Sequence, residues 1–153
     1  MATNGDTESV ERIIPVPAEQ IFALLADPRR HKDFDGSGTV RNAKNVPDHL
    51  ELGSKFGMSM HLGVPYSMTS TVIEFEPNRR IAWQTWAPGI ASRLAGGRIW
   101  RYELEPVEGA TLVRETWDIS QERVKAVVRP ARGKTIAGMT KTLERIETVL
   151  ASN

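Results

Sequence analysis

Lys134-Thr135-Ile136-Ala137-Gly138-Met139-Thr140-Lys141-Thr142-Leu143-Glu144-Arg145-Ile146-Glu147-Thr148-Val149-Leu150 decides how the rest of the chain must fold. Ile136, Met139, Leu143, Ile146, Val149 and Leu150 recur at spacings of three and four, the period of one apolar stripe on an α-helix. Lys141, Glu144, Arg145 and Glu147 fill the other face and belong in water. Pro130 and Gly133 precede the stripe and mark a helix start. Burying such a stripe contributes roughly 10 kcal/mol gross, before the entropy of ordering the side chains is subtracted. A helix this apolar needs a surface to lie on. The preceding chain reads mainly as β-strand, so a curved antiparallel sheet is the natural partner.

The chain has 153 residues, enough for one domain with a real core, and an ordered body over about residues 7–151 is expected. Its formal net charge is +1, with acids and bases mixed along the chain. That is not the basic stripe of a nucleic-acid binder. Cysteine is absent, which excludes disulfides and thiolate metal sites. Residues 1–9 are polar and acidic, and no run is long and apolar enough for stable membrane insertion. A cytoplasmic protein, monomer or dimer, is the expectation.

In order, Thr7 to Ile14 predicts a strand, stopped by Pro15 and Pro17. Ile21, Leu24 and Leu25 form a short helical stripe, closed by Asp27-Pro28. Arg29 to Phe34 predicts a second short helix. Val40 to Val46 is a weak strand. Phe56, Met58, Met60 and Leu62 alternate with Lys55, Gly57, Ser59 and His61, the period of a half-buried strand. Gly63 and Pro65 predict a turn, Tyr66 to Phe75 a strand, and Glu76-Pro77-Asn78-Arg79 another turn. Ile81 to Trp86, Ile99 to Leu104 and Leu112 to Ile119 complete a meander of hairpins. The glycine-containing loops Gly36 to Gly38 and Pro88 to Gly97 lie where a lid over the inner face would move.

Pairing fixes the inner face. Leu104 opposite Val113 sets Tyr102 against Glu115 and Trp100 against Trp117, with Glu103 and Arg114 paired outside. A one-residue slip would push Trp117 and Val113 into water, and burial outweighs a single exposed ion pair. Phe75 opposite Ile81 likewise sets Ile73 against Trp83. The inner surface is then Met58, Met60, Ile73, Phe75, Trp83, Trp100, Tyr102, Glu115, Trp117 and the helix residue Met139. Thr69, Thr71 and Thr85 share that face. Methionine and tryptophan fill ordinary cores. An apolar surface with a few convergent polar groups is also how small-molecule pockets are lined.

Val10-Glu11-Arg12-Ile13-Ile14-Pro15-Val16-Pro17-Ala18-Glu19-Gln20-Ile21-Phe22 resembles the opening of the START-like (SRPBCC) superfamily. Phe75-Glu76-Pro77-Asn78-Arg79-Arg80-Ile81-Ala82-Trp83 is similar to its strand-turn-strand signature. Trp100-Arg101-Tyr102-Glu103-Leu104-Glu105-Pro106 with Gly109-Ala110-Thr111 resembles its penultimate hairpin. The likeness is nearest to the polyketide cyclase/dehydrase-like branch. It implies an α+β helix-grip fold: a seven-stranded curved antiparallel sheet wrapped around the long C-terminal helix, with two short helices after the first strand. It also implies an internal hydrophobic cavity for lipids, polyketides or sterol-like molecules. The superfamily spans carriers, cyclases and chaperone-ATPase activators, so fold alone fixes no activity.

No catalytic motif stands out. His31, His49 and His61 form no metal-ligand spacing, and neither a metal nor a cofactor is expected. Pro28-Arg29-Arg30-His31-Lys32 reads as a solvated basic face. Glu115 is the one titratable group assigned to the interior. It either serves there with Tyr102 as an acid/base pair in a cyclase or dehydratase, or pairs with an arginine such as Arg98, or sits on the outer face instead. The expected function is binding or transport of a hydrophobic small molecule, with such an enzyme and a chaperone-activator-type interaction module as the alternatives.

Overall fold

The computed structural model describes residues 6–36, 40–44, 49–62, 64–88 and 95–151. Seven strands form a single antiparallel sheet: β1 (Thr7–Ile14), β2 (Val40–Lys44), β3 (Lys55–Leu62), β4 (Val64–Glu76), β5 (Arg80–Trp86), β6 (Gly96–Val107) and β7 (Ala110–Asp118). Their spatial order is β1-β7-β6-β5-β4-β3-β2. Five hairpin connections join β2 through β7, and β1 closes onto β7. Helices α1 (Ala18–Leu25) and α2 (His31–Phe34) occupy the β1–β2 connection, with a 3-10 turn at Pro28–Arg30 between them. After β7 come α3 (Lys125–Val128), a second 3-10 turn at Arg129–Ala131 and the long helix α4 (Arg132–Ala151). The sequence pattern did not reveal α3. Val46, Gly38 and Gly63 lie outside the described residues, as do residues 89–94 of the expected lid loop.

Helix α4 forms where the stripe predicts it and lies on the inner face of the sheet. Met139, Leu143 and Ile146 are buried, and Val149 and Leu150 pack half-buried at the rim. Leu143 and Ile146 join the main core with Val113, Leu104, Tyr102 and Trp83. Met139 joins a second cluster with Trp117 and Ile119. Helix α1 buries Ala18, Ile21, Phe22, Leu24 and Leu25 against the same core.

The β6–β7 register sets Leu104 on Val113, Tyr102 on Glu115 and Trp100 on Trp117. Burial of the large side chains decides it, as the one-residue-slip argument requires. On the outer face Glu103 does lie opposite Arg114, but its side chain takes Arg80, at 3.2 Å. Arg114 turns to Glu11 on β1, with Nε donating across 2.7 Å.

The β4–β5 pair departs from the sequence expectation. Phe75 does face Ile81, but a β-bulge between Val72 and Glu74 places Val72, not Ile73, opposite Trp83. Ile73 is 36 % exposed and Val72 is buried. One extra residue reverses the alternation on the far side of the bulge. Ser70 therefore points inward and bonds the Thr85 hydroxyl at 2.9 Å, while Thr69 and Thr71 lose their assigned inner places. Pro65 is not a turn residue either: it sits within β4 opposite His61.

Candidate functional site

Cross-strand pairing builds two neighbouring layers on the inner face. One runs Val72, Trp83, Trp100, Trp117 from β4 to β7. The other runs Phe75, Ile81, Tyr102, Glu115 and on to Val10 of β1. Glu115 is thus flanked across the sheet by Tyr102 and Val10, and along its own strand by Val113 and Trp117. Among these, Tyr102 offers a hydroxyl and Trp117 an indole N–H.

Glu115 and Tyr102 are each 3 % exposed. Burial pushes the Glu115 carboxyl up to about 8, the nearby Asp35 carboxylate adds to the rise, and the hydrogen bond from Tyr102 opposes it. Burial also holds the Tyr102 hydroxyl well above its ordinary value, with Glu115 reinforcing the effect. Glu115 is therefore a neutral acid at pH 7. Its Oε1 is buried and has no hydrogen-bond partner among the described residues. Arg98 does not neutralise it: the Arg98 guanidinium binds Glu122 at 3.0 Å, and Glu122 also accepts from the Gly96 amide.

On α4, Thr142 and Leu143 lie between Met139, in the Trp117 cluster, and Ile146, in the Val113 cluster. Thr142 Oγ1 accepts from the Gly36 amide at 2.7 Å, and Arg145 donates to the Asp35 carbonyl. A Cβ on Gly36 would lie 2.2 Å from the Gly138 carbonyl oxygen, so only glycine lets the chain come this close to the helix. These contacts fasten the end of α2, with Asp35, onto residues 138–145 of α4.

His31 completes the group. Contrary to the solvated face expected of its basic run, its ring is 6 % exposed and stacks on Trp83 at 4.8 Å. It also meets Phe34 and Phe56 edge-on. Nε2 donates to the Leu25 carbonyl at 2.9 Å, and burial pushes the imidazole down to about 4. His31 is therefore neutral at pH 7. A four-residue helix is too short to display a periodicity that would mark it as buried.

Of the other sequence candidates, Met58, Trp83, Trp117 and Met139 are buried, while Met60, Phe75 and Trp100 pack half-buried against the clusters. Ile73 leaves the set because of the bulge. A separate cleft of about 330 Å³ at the β4–β5 turn is lined by Glu76, Arg79, Arg80, Glu103, Leu104, Glu105, Leu112 and Arg114. Its opposite charges alternate, so it presents no strong field of one sign to a ligand. Among the described residues no cluster of three or more His, Cys, Asp or Glu is placed to hold a metal. No helix among them is long and apolar enough to cross a membrane.

A curved antiparallel sheet closed by a long C-terminal helix, with a buried polar pair on its inner face, is the helix-grip arrangement of the SRPBCC superfamily. Residues 15–151 match the family model described as activator of Hsp90 ATPase homolog 1-like protein, and the chain belongs to that family. It is 44 % identical over 114 residues to the uncharacterized protein Rv0088 of Mycobacterium tuberculosis, spanning 73 % of this chain but 46 % of that one. The chain thus covers about half the length of this relative. Among solved structures, protein NE0264 from Nitrosomonas europaea superposes with a TM-score of 0.76 at 15 % identity, over 99 % of this chain and 97 % of that one. DynU16, from the dynemicin biosynthetic locus, gives 0.64 at 17 % identity, over 95 % of this chain and 47 % of that one. Ginseng major latex-like protein 151 from Panax ginseng gives 0.70 at 10 % identity, over 93 % and 95 %. At these identities the likeness is one of fold.

Proposed function

We propose that the protein binds a hydrophobic small molecule between sheet and α4, with a ring system or acyl body and one oxygenated end, and holds that end at Glu115 and Tyr102. The single observation that carries this reading is Glu115, a buried carboxyl whose Oε1 has no hydrogen-bond partner among the described residues. A polar group left unsatisfied in a dry interior costs about 1–3 kcal/mol. A ligand oxygen relieves that cost, whereas a plain core would gain from leucine at this position. Trp83, Trp100 and Trp117 form one cross-strand row on the inner face, next to the row that holds Tyr102 and Glu115. The family match and the helix-grip neighbours support the reading at the level of fold.

Tetralin and 2-tetralol share one bicyclic body and differ by a hydroxyl, so they separate the two halves of the proposal. Quenching of tryptophan fluorescence, excited on the red edge of the indole band, reports binding of each. The alcohol should bind roughly fivefold tighter than the hydrocarbon, one net hydrogen bond's worth. Glu115→Leu should abolish that preference and keep tetralin. Equal binding of both probes to the native chain contradicts the role given to Glu115.

The family description favours a second reading, a chaperone-ATPase activator acting through the outer face. That activity would survive Glu115→Leu unchanged, because Glu115 does not reach the outer surface.

A further inference from the structure

From Arg123 to Leu143 the chain holds six of its 20 bases and none of its 19 acids. Five of these bases, Arg123, Lys125, Arg129, Arg132 and Lys134, gather around α3 and the first turn of α4. Among the described residues two carboxylates meet them, both from the start of the chain. Asp6 takes Lys125 at 3.3 Å and Arg129 at 2.9 Å, and Glu8 takes Arg132 at 3.1 Å. Arg123 lies over the Trp86 ring, 5.3 Å from its centre. Five cations against two carboxylates leave three positive charges over. The same segment carries exposed apolar residues. Helix α3 buries none of its side chains. Val128 and Ile136 pack against the Trp117 cluster and hold the segment to the body. Ala126, Val127, Pro130 and Ala131 are exposed, and Val127, at 73 %, is the most exposed large hydrophobic among the described residues. Four such small side chains fall short of the roughly 800 Å² per partner, and of the aromatic anchors, on which a stable protein interface relies. A bilayer surface needs neither: cations settle among anionic headgroups and a few apolar side chains enter the acyl boundary.

We propose that residues 123–134 form a docking surface for membranes that contain anionic phospholipid, with the surplus cations among the headgroups and Val127 at the acyl boundary. The surface lies outside the interior between sheet and α4, so it stands or falls apart from the ligand reading above. It presents the α3 end of the molecule to the bilayer. Each base held near an anionic surface strengthens binding about fivefold. The three surplus charges therefore favour anionic over neutral vesicles on the order of 100-fold. One short helix with one large apolar tip gives reversible attachment, not insertion. Asp6 restrains it, because its carboxylate occupies two of the cations.

Flotation of the full chain with vesicles tests this. One set is phosphatidylcholine alone, and the other holds about one part phosphatidylglycerol in three. The native chain should float with the second set, sink with the first, and leave the second in about 0.5 M salt. Lys134→Gln should weaken binding about fivefold. Asp6→Asn should strengthen it by about the same factor, a gain that damage to the fold would not produce. Val127→Asp, at an exposed position that packs on nothing in the core, should weaken it at least tenfold by removing the tip and adding a negative charge. Arg79→Gln, on the exposed β4–β5 turn at the other end of the sheet, should leave it unchanged. Equal partition into the two vesicle sets overturns the proposal. So does a loss in Arg79→Gln that matches Lys134→Gln, because net charge alone would then be at work. Capture by polyglutamate as strong as by anionic vesicles, and indifferent to Val127→Asp, overturns the membrane in favour of an acidic protein.

Discussion

Tyr102 and Glu115 face each other across the β6–β7 ladder, both almost wholly buried, and the hydroxyl of one bonds the carboxyl of the other. That bond lowers the carboxyl's affinity for its proton, against a larger rise from burial. Tyr102→Phe removes only the lowering contribution. Glu115 should then titrate above its native value of about 8, as read from its side-chain carboxyl carbon by NMR. An unchanged or lower midpoint would show that the two groups are not coupled.

The same carboxyl makes the fold less stable at alkaline pH. An unfolded glutamate titrates near 4.5 and Glu115 in the fold at about 8. Between those values the folded chain keeps a proton that the unfolded chain has lost, so stability falls as pH rises. The full penalty, on the order of 5 kcal/mol, is reached above the folded value. Glu115→Gln should remove this decline from urea unfolding curves. A variant as steep as the native chain from pH 6.5 to 8.5 contradicts the assignment.

His31 tilts the balance the other way. Its folded value is about 4 against 6.5 in the unfolded chain. In that window the unfolded chain takes up the proton, so stability is lost as pH falls. The loss is on the order of 3 kcal/mol. Between about pH 4.5 and 6.5 the slopes from His31 and Glu115 cancel. His31→Phe keeps an aromatic ring on Trp83 and should expose the uncompensated Glu115 decline from about pH 4.5 upward. A profile parallel to the native one would mean that His31 titrates normally.

Leu143 is 1 % exposed at the centre of the α4 stripe. Leu143→Ala should cost about 2–5 kcal/mol in chemical denaturation. A loss below about 0.5 kcal/mol, the range of surface substitutions, would remove α4 from its central place.

Gly36→Ala should cost more than Thr142→Val. The added methyl meets backbone at 2.2 and 2.5 Å, and neither the Gly138 carbonyl nor the Thr142 amide can move without distorting α4. The valine forfeits one hydrogen bond, about 1 kcal/mol. Thermal unfolding of the two variants ranks them, and an unperturbed Gly36→Ala would show that α2 does not dock closely on α4.

The β6–β7 register was legible because Val113, Glu115 and Trp117 alternate cleanly with polar neighbours, and a slip would have exposed two large side chains. The helix was legible from Ile136 to Leu150 for the same kind of reason. The β4 register was legible only at its Phe75 end. In Thr71-Val72-Ile73 each β-branched residue suits either face, so nothing in the sequence marks the bulge that turns Ile73 outward. His31 was hidden by its charged neighbours, since one turn of helix has no period to read. Asp35 was hidden because its place depends on Gly36 touching Thr142, a contact between residues far apart in the chain.

Native mass spectrometry of the full chain as isolated, without refolding, tests the central claim most directly. The account predicts a population heavier than the chain by one small molecule, released on denaturation and recovered in organic solvent as a compound with an apolar body and an oxygenated end. Glu115→Leu should lower its occupancy or replace it with a less oxygenated compound. A chain found only at its own mass under gentle ionisation, together with no quenching by tetralin or 2-tetralol, would contradict it.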